Sequence, residues 1–158
     1  MTDVAAEFEK TIQDDGIVLF PSIVDETMLE RMKKDLDICY AINLKIQKQN
    51  GVPSTNVAHH LAKSMWRGGS FADFLEHLPL KEYVSQYFGN KPFIMNAISG
   101  IYNFPSDTTN YEHRPHRDMR SYYPVRLSLN MMLMLDDLSA EPRPVVVQLA
   151  THLADAAW

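Results

Sequence analysis

The residues with the clearest chemical potential are His116 and Asp118, in the segment Pro115-His116-Arg117-Asp118. In an extended segment, side chains two positions apart emerge on the same side of the backbone, about 6.6 Å apart at a rise of ~3.3 Å per residue. An imidazole and a carboxylate placed in this way can bind one metal ion. They are two of the three ligands of the 2-His-1-carboxylate triad, which holds non-haem Fe(II) and leaves positions open for oxygen and a co-substrate. The alternative is a polar loop in which Asp118 accepts a hydrogen bond and His116 is solvated.

Other histidines are weaker candidates for metal ligands. His59 and His60 are adjacent, and adjacent side chains of an extended chain point in different directions. His113 could join His116 in a cupin-like site for Zn or Mn, but residues three positions apart in an extended loop do not face the same way. His116 with Asp118 is therefore the pair on which the sequence-based hypothesis depends.

Length, charge and cysteine content restrict the class of protein. The chain has 158 residues and a formal net charge of −5, which fits one domain over 1–158 without a basic patch for nucleic acid. Cys39 is the single cysteine, so an internal disulfide is excluded and a reducing compartment is favoured. The amino terminus is acidic where a secretory signal would be basic and then apolar, and no stretch approaches the roughly 18 apolar residues of a membrane span. These features predict a cytoplasmic protein without membrane or nucleic-acid partners.

The first part of the chain, 1–90, is predicted to be rich in helices. Apolar residues recur at helical spacing, and capping and stop residues delimit each segment. The predicted elements are a helix ended by Gly16, a strand over 17–20, a helix over 25–50 capped by Asp25, a loop over 51–69, a helix opened by a Ser70–Asp73 capping box, and a helix from Pro79 to the stop at Gly89.

The second part of the chain, 91–158, is predicted to be rich in strands. Strands are indicated over 93–98, 101–104, 124–136 and 145–149. The alternation is cleanest over 124–136, where one side is wholly apolar and the other carries Arg126, Ser128 and Asn130. Helices followed by strands favour an α+β domain with the helices outside an antiparallel sheet or barrel.

Three separated segments resemble the phytanoyl-CoA dioxygenase family. The first is Asp15-Gly16-Ile17-Val18-Leu19-Phe20, which follows an amphipathic helix. The second is the Pro115-His116-Arg117-Asp118 segment, which matches the family's His-x-Asp motif. The third is Leu133-Met134-Leu135-Asp136-Asp137-Leu138-Ser139-Ala140-Glu141, which is similar to the strand and turn that follow that motif. The likeness covers nearly the whole chain in order and spacing.

The resemblance implies a fold and an activity. The expected fold is a double-stranded β-helix, or cupin-like jelly roll, with the amino-terminal helices packed on it. The expected cofactors are Fe(II), bound by His116 and Asp118, and 2-oxoglutarate, which together with O₂ would hydroxylate a small organic substrate. The candidates to contact 2-oxoglutarate or substrate are Asn96, Tyr102, Arg126 and Asn130. Arg126 suits a carboxylate because its fork binds both oxygens, although it could equally be a surface cation on a half-buried strand.

The chain departs from the family pattern after Glu141. The family's second iron histidine and its 2-oxoglutarate arginine would lie beyond residue 158, so His152 is the remaining candidate for a third ligand, although it matches a non-ligand position. Four or five predicted strands also fall short of the roughly eight of a jelly roll. We therefore expect a jelly roll incomplete at its carboxyl end, either the amino-terminal part of a longer enzyme or a product of a changed reading frame. The alternative function is a non-catalytic, truncated domain that acts by binding or association.

Overall fold

The structure, a computed structural model, describes residues 2–52, 59–61, 69–102, 126 and 128–136. Within these ranges it contains four α-helices and one short antiparallel strand pairing. The elements in chain order are α1 (Thr2–Asp14), α2 (Glu26–Gln49), β1 (His59–His60), α3 (Ser70–Glu76), α4 (Lys81–Tyr87) and β2 (Ile101–Tyr102).

The two longest helices form where the sequence predicts them. Phe8 and Ile12 are buried on one face of α1, as their spacing of four residues requires. At the start of α2, the Asp25 side chain accepts a hydrogen bond of 2.8 Å from the backbone N–H of Met28. This bond satisfies one of the amide groups that have no partner within a helix. After α2, Gly51 has a φ of +66°, a conformation that glycine adopts without steric cost.

The two short helices also form, but their starts differ from the prediction. The predicted Ser70–Asp73 capping box is wrong, because Gly69 occupies the cap position of α3 and no side chain there caps the helix. Ser70 is instead the first helical residue and is fully buried. Its polar groups are bound by a side chain from α2, which removes the need for a local cap.

Helix α4 begins at Lys81, slightly later than the predicted start at Pro79. Val84 is buried and Tyr83 is half-buried, so this helix packs through an apolar face. Gly89 follows the helix with a φ of +66°, which agrees with its predicted role as the stop. Because the helix is short, its stability depends on this packed face rather than on helical propensity.

Two apolar clusters hold these helices together. In the first, buried side chains from α2 and α3 lie with Leu61, and partly buried residues from these helices and from the later part of the chain pack against them. Its buried members are Met32, Cys39, Leu61 and Phe71, and the residues around them include Val24, Met28, Leu36, Tyr40, Phe74, Ile98, Leu133 and Leu135. Helix α2 is therefore the element on which most of the described core is assembled.

The second cluster is aromatic and joins α1 to α4. The Phe8 and Tyr83 ring centroids lie 5.1 Å apart, and Phe20 completes the group at 5.4 Å from Tyr83 and 6.1 Å from Phe8. Tilted rings at these separations are favourable beyond the area that they bury. The cluster fixes α1 beside α4 and so positions the polar side chains of both helices.

The predicted jelly roll is wrong for the part of the chain that the structure describes. The strand pairing found there joins β1 to β2, with His59 opposite Tyr102 and His60 opposite Ile101. The predicted strands over 17–20 and 93–98, and the described residues of 124–136, lie in no ladder, and the predicted strand at 101–104 retains Ile101 and Tyr102 as β2. The predicted loop over 51–69 contains β1. Alternating apolar side chains define the two faces of an extended segment, but a strand also needs a backbone partner, which these segments lack in the described residues.

A partly buried polar contact joins α2 to α3. Oxygen Oδ2 of Asp35 accepts hydrogen bonds from the Ser70 backbone N–H at 2.7 Å and from the Ser70 hydroxyl at 2.6 Å. Gly69 has a φ of +85°, and a Cβ atom at this position would lie 2.6 Å from the same oxygen. An ion pair between the same helices links Arg31 to Asp73. Asp35 thus supplies the start of α3 with the acceptor that its own sequence does not provide.

We expect Asp35→Ala to reduce the free energy of unfolding by about 2 kcal/mol, because the buried Ser70 hydroxyl and amide would lose a charged partner. Urea denaturation of wild type and variant measures this loss. Asp37→Ala is the matched control, since Asp37 is an exposed carboxylate on the same helix. Equal losses in the two variants would contradict the role of Asp35.

This contribution should also depend on pH. Hydrogen bonds from Ser70 hold the pKa of Asp35 below its ordinary value. A carboxyl whose pKa is depressed by folding contributes stability that is present above its unfolded pKa and is lost as the pH falls through the folded pKa. The difference in the free energy of unfolding between wild type and Asp35→Ala should therefore shrink as the pH falls from the unfolded pKa of Asp35 to below its folded pKa.

Among the described helices, none combines the length and the apolar character that crossing a membrane requires.

Candidate functional site

The predicted metal ligands lie outside the described residues. This applies to His116 and Asp118, to the alternative ligand His113, and to the candidate third ligand His152. Among the residues that are described, no three His, Cys, Asp or Glu side chains come together as a metal site would require. The metal centre therefore stays a prediction from the sequence.

Of the four candidates for contact with 2-oxoglutarate or substrate, Arg126 has the best-defined surroundings. Asn96 and Asn130 are exposed, and Tyr102 lies in β2, where its backbone is opposite His59. Arg126 is partly buried and makes several polar contacts. The candidate site is therefore built outward from Arg126.

The Arg126 guanidinium binds a carboxylate from the amino-terminal helix α1. Its Nη2 donates to Glu9 Oε1 at 2.6 Å, and its Nη1 donates to Glu9 Oε2 at 3.2 Å. Nη1 also donates to the backbone carbonyl of Tyr87 at 3.1 Å, and the guanidinium carbon lies 4.9 Å from the centre of the Tyr87 ring. The Tyr87 hydroxyl donates to the Ser128 carbonyl at 3.0 Å. We call Glu9, Tyr87, Arg126 and Ser128 the Arg126 cluster.

Two features of local structure place these groups. Glu9 follows the buried Phe8 on α1, so the aromatic cluster that holds Phe8 also brings Glu9 to the edge of α4. Tyr87 is the last residue of α4, where carbonyl groups have no partner within the helix and are free to accept a bond from Arg126. The cation at this end of the helix also complements its dipole.

The charges of the cluster stabilise one another. The pKa of the Glu9 carboxyl is lowered, first because Arg126 donates hydrogen bonds to it. The pKa of the Arg126 guanidinium is raised, chiefly by the same bonds. Burial raises the pKa of the Tyr87 hydroxyl, which keeps it neutral and able to donate to Ser128. At neutral pH the cluster therefore holds one cation, one anion and one neutral phenol.

An open cleft lies beside the cluster. Its volume is about 620 Å³, within the range of clefts that bind small molecules. The lining carries two cations, one carboxylate and two aromatic rings, contributed by Glu9, Gln86, Tyr87, Phe88, Gly89, Lys91 and Arg126. One face of the Arg126 cluster is therefore next to space that a small anion could occupy.

The sequence indicates Arg126 as a candidate but does not indicate Glu9. The alternation over 124–136 places Arg126 on a polar side, and helical spacing places Tyr87 on the packed face of α4. Glu9 is 117 positions from Arg126, and no motif or periodicity relates the two. No local signal in the sequence indicates that α1 packs against α4, so Glu9 is identified as the partner only in the tertiary structure.

Comparisons with protein-family models, with curated proteins and with solved structures each found no match.

Proposed function

We propose that the protein is an Fe(II)- and 2-oxoglutarate-dependent dioxygenase that hydroxylates a small organic substrate in the cytoplasm. His116 and Asp118 are its proposed iron ligands, and their spacing is the single observation that carries the proposal. The order of the Asp15-Gly16 segment, the His-x-Asp motif and the 133–141 segment supports it through the resemblance to the phytanoyl-CoA dioxygenase family. Because the described residues contain no jelly roll, the proposal depends on the motif and not on the fold.

The donor types suit the metal. Neutral imidazole and carboxylate are ligands that Fe(II) accepts, and two protein ligands leave positions for a bidentate co-substrate and O₂. When bound, the iron would reduce O₂ with electrons from 2-oxoglutarate, and so would supply an oxidant able to attack an unactivated C–H bond. The protein itself would hold the His116 and Asp118 side chains in place and position the substrate.

The Glu9 carboxylate restricts how a co-substrate could bind to Arg126. Arg126 is suited to a carboxylate, but Glu9 already occupies both of its outer nitrogens. A carboxylate of 2-oxoglutarate that binds the same Nη1/Nη2 fork of this guanidinium would therefore have to replace Glu9.

The test is turnover by the full chain. Purified protein is titrated anaerobically with Fe(II) and then supplied with 2-oxoglutarate and O₂, and succinate is measured. We expect one-to-one iron binding and succinate formation that requires both iron and oxygen. Weak, non-stoichiometric iron binding without succinate would contradict the proposal.

A second candidate function is association between copies of this chain without catalysis. It is favoured by the exposure of large apolar side chains on the extended segments: Ile94 is 88% exposed and Met132 is 62% exposed. Within the described residues both segments lack strand partners, and unpaired extended segments invite pairing with another chain. Sedimentation equilibrium over a range of protein concentrations tests it: a mass that stays monomeric at all concentrations would exclude this function.

A further inference from the structure

We propose that Arg126 is a carboxylate-binding residue whose site is occupied by the protein's own Glu9, and that a small dicarboxylate can replace Glu9 there. Both outer nitrogens of the guanidinium contact both oxygens of the Glu9 carboxylate. This fork geometry is the one by which arginine recognises carboxylates in ligands. As a site for 2-oxoglutarate the inference rests on the proposed function, but as a carboxylate site it requires no metal.

Arg126 is oriented by groups other than Glu9. The Tyr87 carbonyl accepts a bond from Nη1, and the Tyr87 ring lies against the guanidinium. Tyr87 is itself fixed at both ends, because it belongs to α4 and its hydroxyl donates to Ser128. The guanidinium would therefore keep its orientation while one carboxylate replaces another, and a preorganised cation binds its ligand at lower entropic cost.

Glu9 can leave without undoing the packing of α1. Its side chain is 36% exposed, so a released carboxylate would return to water. Gln13 also donates to Glu9 at 2.7 Å, but this bond lies on the exposed surface of the same helix. The helix remains held by Phe8 and Ile12, which are buried. The ion pair is only partly buried, with the Arg126 and Glu9 side chains 30% and 36% exposed, so replacing one carboxylate with another costs little net free energy.

The cleft beside Arg126 determines the class of ligand. It is open and has the volume for a small molecule, and Lys91 in its lining is a second cation. With Glu9 displaced, the two cations remain, which suits a molecule with two carboxylates. Phe88 in the lining can cover the apolar carbons between them. A short aliphatic dicarboxylate satisfies all three features.

The experiment measures binding of glutarate, a dicarboxylate without the keto group, to the full chain in the absence of iron. Wild type is compared with Glu9→Gln, which removes the internal competitor. We expect Glu9→Gln to bind glutarate roughly two- to fivefold more tightly, the factor that corresponds to a weak, partly exposed ion pair. Glu7→Gln is the matched control: it removes the same charge from an exposed position on the same helix and should bind as wild type does.

Two further measurements separate a binding role from a structural one. Arg126→Gln should abolish glutarate binding, and Arg126→Lys, which keeps the charge but loses the fork, should weaken it. Glutaramide, the neutral analogue, should not bind to any variant. If Glu9→Gln lowers thermal stability but binds glutarate no better than Glu7→Gln, the ion pair is structural and the inference is overturned. Since the assay contains no iron and measures no turnover, its result is independent of whether the chain is a dioxygenase.

Discussion

Replacing His116 or Asp118 with alanine is expected to eliminate one-to-one Fe(II) binding and to reduce 2-oxoglutarate turnover to background. Each substitution removes one of the two proposed protein ligands, and a single remaining side chain cannot hold a labile divalent ion against water. Anaerobic iron titration followed by succinate measurement gives both quantities on the same samples. Circular dichroism of each variant shows whether the helices described here are retained.

His113→Ala is the matched control for this experiment. It removes an imidazole from the same short segment but leaves the His-x-Asp spacing intact. We expect iron binding and turnover to be unchanged in this variant. Loss of metal in His113→Ala, with retention in Asp118→Ala, would refute the facial-triad assignment and support a site for Zn or Mn built from His113 and His116.

Helix positions were predictable because the signals that define a helix are local. The Asp25 cap, the stop at Gly51 and the spacing of Phe8 and Ile12 each depend on residues within about two turns. The start of α3 was not predictable, since its acceptor is Asp35, which lies on another helix 35 positions earlier. The spacing of Ser70 and Asp73 indicates a capping box, and nothing local to it shows that a distant carboxylate binds Ser70 instead.

The strand predictions failed because alternation reports which way side chains face and not what the backbone is bonded to. Over 132–135 the alternation does agree with burial: Leu133 and Leu135 pack against the core, while Met132 and Met134 are exposed. The same segment nevertheless lies in no ladder among the described residues. Sheet formation depends on a partner strand brought from elsewhere, and a single periodic segment carries no information about that partner.

The candidate site shows the same division between local and distant information. Arginine at position 126 was identified as a residue suited to a carboxylate, and the chemistry of its side chain justified that inference. Its recorded carboxylate partner is Glu9, which reaches it because α1 packs on α4. Residue type therefore indicated a side chain suited to a carboxylate, and contact with 2-oxoglutarate stays a prediction. The pairing with Glu9 is found only in the tertiary structure.

Met32→Ala is expected to destabilise the protein by about 2–5 kcal/mol, the range found when a buried methionine or leucine is truncated. Met32 is fully buried, and α2, α3 and the 133–135 segment all pack on the cluster that contains it. Truncation would open a cavity where these elements meet. Urea denaturation followed by circular dichroism measures the loss, which is a large part of the stability of a domain of this size.

Met132→Ala is the control that shows whether burial causes the loss of stability in Met32→Ala. The substitution is chemically identical, but Met132 is 62% exposed, so its truncation should change the free energy of unfolding by no more than about 0.5 kcal/mol. A large difference between the two variants would support the arrangement in which α2 organises the core while the outer side of the 132–134 segment faces solvent. If both variants lose similar stability, Met132 is buried in solution, and the association of copies through the extended segments would then become the preferred function.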